Sequence, residues 1–128
     1  MKRSTFLLIV AILAFLFGCM MLFAPAKALE GFGLVPDPLS SFLMQLVGSF
    51  ILSMGILNFR VRTHGDSLTL RSVLLFNVLA HAIGMIIDCL GIAQGIMLFA
   101  KVIPGLVVHV FVGIGSLIYM MRMKTGNS

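Results

Sequence analysis

Charge is scarce in this chain. Lysine and arginine together number nine and aspartate and glutamate four, so that charged side chains make up 10% of 128 residues while 60% are hydrophobic. Soluble domains carry about 25% charged residues, and a soluble fold of this size could not hide so much apolar surface. Cysteine occurs twice, at Cys19 and Cys89, in neither CxxC nor CxxH spacing, which argues against a zinc site and a thioredoxin-like redox pair. Tryptophan is absent, and the ten methionines come near the short-spaced clusters a soft-metal pathway wants only at Met20-Met21 and at Met120, Met121 and Met123, so they read as apolar filler. The formal charge of +5 comes from basic residues standing singly between apolar runs. They form no patch for nucleic acid.

What the chain does have is four long apolar runs, at about residues 6–26, 39–59, 72–94 and 102–121, the first two wholly uncharged. A hydrocarbon core about 30 Å thick needs about 20 residues of helix at about 1.5 Å per residue, and four such spans use about 80 residues. The expectation is an all-α integral membrane four-helix bundle, a single transmembrane domain over 1–128. Between the runs lie a turn-rich segment with Gly31, Gly33, Pro36 and Pro38, a polar turn Arg60 to Ser67 in which Asp66 or Ser67 is placed to cap the next helix, and a short connection near Gln94-Gly95. Pro104 either sits in the first turn of the fourth helix or kinks it.

Topology follows from the basic residues. With the N-terminus inside, Lys2, Arg3, Arg60, Arg62, Arg71, Arg122 and Lys124 gather on the inner face and only Lys27 and Lys101 on the outer, so both termini are expected to be cytoplasmic, in the cell inner membrane. A cleaved signal peptide is the rival reading of the first run, on Ala26-Lys27-Ala28 and the lipoprotein-box-like Leu16-Phe17-Gly18-Cys19. The run exceeds the usual signal core of about 7 to 15 residues and Phe17 is bulky, so retention is expected.

Polar side chains inside a span are costly and face protein or water, which makes each one a candidate site. Asn77, His81, Gly84, Asp88 and Gly91 recur at steps of three and four on one stripe of the third helix. Folding the last two helices about Gln94-Gly95 pairs His81 with His109 about 20 Å from the turn, and Asp88 with Lys101 about 10 Å from it. Gln45 lies in the same outer third as Asp88. The candidate ligand-binding residues are therefore Gln45, Asn77, His81, Asp88, Lys101 and His109.

Two imidazoles on facing helices suit the axial positions of a haem or a metal site, so His81 and His109 are also the candidate metal ligands. Without a third ligand for zinc, a hydrogen bond across the helix interface is preferred, and no cofactor is predicted. Asp88 reads as a protonatable or cation-binding acid, or as an interfacial group paired with Lys101. Arg60, Arg62 and Arg71 are candidates for lipid head groups, with a role as orientation signals only preferred. Cys19 and Cys89 share the outer third, and packing as small hydrophobes is preferred to a bridge. Ala11, Ala14, Gly18, Gly48, Ser49, Gly55, Gly113 and Gly115 supply small-residue faces for close helix contact or self-association.

The outer-loop segment Val35-Pro36-Asp37-Pro38, the Leu46-Val47-Gly48 helix and the run Leu74-Leu75-Phe76-Asn77-Val78-Leu79-Ala80-His81-Ala82-Ile83-Gly84, with Asp88 and His109 beyond it, resemble a broad group of small bacterial four-helix inner-membrane proteins that carry no assigned function. The resemblance implies four spans and a retained first helix.

Three function classes remain. A non-enzymatic accessory, lipid-binding or ligand-binding membrane protein needs no catalytic set and is preferred, with the bilayer and a homo-oligomeric or membrane-protein partner around it. An oligomeric small-molecule or proton-coupled transporter would have to rely on Asp88, because the first helix carries no charge. A bis-histidine haem or metal redox protein would rest on His81 and His109 alone.

Overall fold

A computed structural model of the protein describes residues 1–124 and is helical in all its regular elements among them. Five helices follow in order: α1 (Arg3–Phe23), α2 (Pro25–Gly31), α3 (Pro38–Val61), α4 (Leu68–Ala93) and α5 (Phe99–Met121). All but α2 are long and apolar enough to cross a membrane. They carry bulky hydrophobic side chains on their outer faces, such as Phe50 at 71% exposure and Val107 at 62%. That surface suits lipid rather than water.

The helix ends follow local chemistry. Ala24 leaves the helical region, at φ −138° and ψ 55°, because the ring of Pro25 crowds the residue before it. Pro25 then opens α2 at the position where its missing N–H is harmless. The first run expected at 6–26 therefore ends earlier, and the segment expected to be loop contains a helical turn and a half. After α2 the chain reverses at Gly33, whose φ of 80° is costly for any residue with a Cβ. Asp37 caps α3: its Oδ1 accepts from the N–H groups of Leu39 and Ser40 at 2.9 and 3.0 Å, and Ser40 Oγ accepts from Asp37 N–H, a reciprocal capping box. Ser67, not Asp66, caps α4, through Leu70 N–H. Gly95, at φ 70°, turns the chain into α5. Pro104 lies inside α5, beyond its first turn, so the carbonyl of Ala100 receives no helical N–H from it.

The long helices pack as two antiparallel pairs. In the first, α1 and α3 touch backbone to backbone: a Cβ at Gly18 would lie 2.8 Å from Leu52 N, one at Gly48 2.7 Å from Leu22 N, and one at Gly55 3.1 Å from Ala14 Cβ. Small residues permit that approach. In the second pair α4 lies along α5, with Gly84 under the His109 ring and Gly113 beside His81 Cβ.

The pairs join at the end that carries both described termini. Phe6 and Leu7 of α1, Val61 of α3, Leu70 and Leu74 of α4 and Val112 of α5 form one buried cluster there, and Phe6 meets Phe111 and Tyr119 at centroid distances of 5.6 and 5.1 Å. Asp66 in the α3–α4 turn binds the Arg3 guanidinium and accepts from Lys124 N–H at 2.9 Å. Arg3 also donates to His64 O, and Tyr119 OH to Met1 O. One loop carboxylate thus ties the start of α1 to the end of α5. At the opposite end Gly33 sits against Lys101 Cγ and Leu98.

Candidate functional site

Between the two pairs lies a cavity of about 350 Å³. Leu13, Phe17 and Met21 of α1 and Val47, Ile51 and Met54 of α3 make one wall, Phe32 beyond α2 adjoins it, and the other wall comes from α4 and α5. The α1–α3 wall is apolar except for Asn58, whereas the α4–α5 wall presents His81, Asp88 and His109. An apolar cleft with a few convergent polar groups is the usual form of a ligand site.

The three titratable side chains make a chain of contacts. His81 Nδ1 and His109 Nδ1 are 2.8 Å apart, with the rings at 61°. One nitrogen must donate and the other accept. On its far side His109 Nε2 lies 3.4 Å from Asp88 Oδ2, a long contact that a proton on His109 would make charge-assisted. Gly84 makes this arrangement feasible, since a Cβ there would stand 2.5 Å from His109 Cε1. Asp88 Oδ2 faces Gly105, another position without a side chain. Among the described residues no protein group hydrogen-bonds the second ring nitrogen of His81, which completes a line running Asp88, His109, His81 along the interface.

This geometry bears on the metal reading. Two nitrogens sharing a tetrahedral zinc at about 2.0 Å each stand roughly 3.3 Å apart, and trans axial ligands stand farther apart still. The 2.8 Å separation is a hydrogen-bond length, so in this arrangement the facing Nδ1 atoms share a hydrogen bond. Among the described residues no three histidine, cysteine, aspartate or glutamate side chains gather in a way that could hold a metal.

The expected partnership of Asp88 with Lys101 does not form. Lys101 is in the first turn of α5, exposed, with its stem against Gly33. The hairpin register brings Asp88 beside Gly105, one turn deeper, where His109 replaces the lysine as partner. Gln45 is likewise outside the cavity: its Nε2 donates to Leu22 O at 3.2 Å, meeting one of the carbonyls left over where α1 stops. Asn77 is fully buried but bonds Asn58 rather than facing the cavity, through Nδ2–H to Oδ1 hydrogen bonds of 2.8 and 3.2 Å in the two directions.

Asn58 is the residue that sequence reasoning missed. Its signal was an amide inside an otherwise apolar run, of the same kind that singled out Asn77. Ser116 is also fully buried, and its hydroxyl has no partner among the described residues.

The basic candidates lie away from the cavity, at the end with the termini. Arg60 and Arg71 are exposed, and Arg62 covers the Phe59 ring at 3.6 Å while donating to Phe59 O. Cys19 and Cys89 are both free thiols.

No family model matches the chain, and no curated protein or solved structure matches it. Function rests on the geometry.

Proposed function

We propose that the protein is a small multi-pass, non-enzymatic protein of the inner membrane that holds an apolar ligand or a lipid chain between its two helix pairs, with the polar end of the ligand at His81, His109 and Asp88. The observation that carries this reading is the asymmetry of the cavity, apolar on the α1–α3 wall and titratable on the other. A ligand with a greasy body and one hydrogen-bonding end matches both walls at once.

A cytoplasmic location of both termini is part of the proposal. The termini share one end with Arg60, Arg62 and Arg71, while Lys27 and Lys101 belong to the other, and the seven-to-two division of basic residues supports placing the first end inside. Arg60, Arg62 and Arg71 then serve anionic lipid head groups there.

The test is gentle extraction from the native membrane followed by native mass spectrometry. A small molecule should leave with the wild-type protein and be lost from Ala80→Phe, which fills the cavity from α4. Equal retention by the variant would place the ligand elsewhere. A partner protein leaving in place of a small molecule would make the chain an accessory subunit instead. Proton-coupled transport is the second reading, favoured by the line of contacts from Asp88 to His81.

A further inference from the structure

We infer that the cavity takes a lipophilic monovalent cation and exchanges it for one proton held by the Asp88–His109–His81 chain. This inference rests on the ligand-binding reading of the cavity and names the class of ligand.

The charge of the site is set by very few groups. Asp88 is the single acidic residue in the four long helices. It faces His109 across the α4–α5 interface, and His109 faces His81. From the opposite wall α1 contributes apolar side chains only, and α3 adds the neutral amide of Asn58. The nearest lysine, Lys101, is turned toward Gly33 and forms no ion pair with Asp88. With a proton on His109 the cluster is neutral, and without it the cluster carries one negative charge inside an apolar cleft.

An uncompensated carboxylate there is costly, and either a proton on its partner or a cation from outside relieves the cost. Both neutralise the same single negative charge and therefore compete. The aromatic rings of Phe17 and Phe32 on the cavity lining favour a cation with an apolar coat over a hydrated metal ion.

The exchange balances as follows. With His109 doubly protonated, its Nδ1–H passes to His81 Nδ1, 2.8 Å away. His81 releases its Nε2 proton to solvent, and His109 remains neutral with Nε2–H toward Asp88. The cation enters beside the carboxylate and one proton has left. No bond other than N–H is made or broken, and no oxidant or reductant is needed.

The measurement is isothermal titration of the detergent-solubilised full chain with tetraphenylphosphonium and, separately, with neutral triphenylphosphine oxide. Each is run at pH 5.5 and pH 8.0 in two buffers of different ionisation enthalpy. The cation should bind at least tenfold more tightly at pH 8.0, with release of up to one proton per cation at the lower pH. Asp88→Asn should lose cation binding while still taking the neutral probe, which also reports that the variant is folded. If the neutral probe binds and the cation does not, the cation inference fails and the cavity reading stands. If neither binds, both fail. Cation binding that is equal at the two pH values, or that survives in Asp88→Asn, overturns the exchange.

Discussion

Asn58 of α3 and Asn77 of α4 exchange two hydrogen bonds with each other, and both amides are sealed from solvent. Asn58 also donates to Met54 O on its own helix. Among the described residues this is the one pair of side chains that hydrogen-bonds the two helix pairs to each other within their spans.

Replacing one partner leaves the other amide buried without its bonds. Asn58→Leu and Asn77→Leu should each destabilise the protein by about 1–3 kcal/mol. The double variant should lose clearly less than the sum of the two, because no stranded amide remains. Thermal unfolding in one detergent gives all three values, and strict additivity would show that the bonds contribute nothing as a pair.

A side chain at Gly84 should displace the His109 ring. A Cβ there would stand 2.5 Å from His109 Cε1, so Gly84→Ala should push the imidazole away and break its contact with His81, 2.8 Å long in the wild type. Nitrogen-15 spectra of histidine-labelled protein read this directly. The two rings should titrate as a coupled pair in the wild type and independently in the variant.

The α1–α3 contact makes a sterner demand, because the atoms facing its glycines are backbone. Gly48→Ala would set a methyl 2.7 Å from Leu22 N, and separating the helices should cost about 1–3 kcal/mol. Gly31→Ala, which meets nothing within 4 Å, is the control. Comparable losses in thermal stability for both would contradict a tight interface.

At the end with the termini, pH should matter through Asp66. The Arg3 hydrogen bond, and then the Lys124 N–H, hold its carboxyl below the ordinary 3.8. A carboxylate whose folded value is lowered contributes its stabilisation above the unfolded value and loses it as pH falls through the folded one. The midpoint of thermal unfolding should therefore decline as pH drops below about 4, and the decline should be shallower in Asp66→Asn. An identical acid profile in the variant would remove Asp66 as its source.

The four long helices were legible because an apolar run of about 20 residues has few other uses, and the histidine pair was legible because a hairpin equates depths on either side of its turn. The pairing of Asp88 failed by one helical turn. The turn at Gln94-Gly95 sets depth only to within a few residues, and rotation of α5 about its axis then decides which side chain faces inward. Asn58 escaped notice because its partner is on another helix, and no spacing within α3 reveals it. Asp66 looked like a cap, since its role depends on two residues brought from opposite ends of the chain.

The ties at Asp66 lie at one end of the molecule only. A helix of about 24 residues is roughly 36 Å long, so turning one helix pair by about 5° around that fastened end carries its other end about 3 Å. The small-residue seams within each pair survive such a rotation, because they travel with it. What parts is the apolar contact of Gly33 with Lys101 and Leu98. With the fastening beside Met1 and Lys124, the widest displacement of such a rotation falls at the end that carries Phe32.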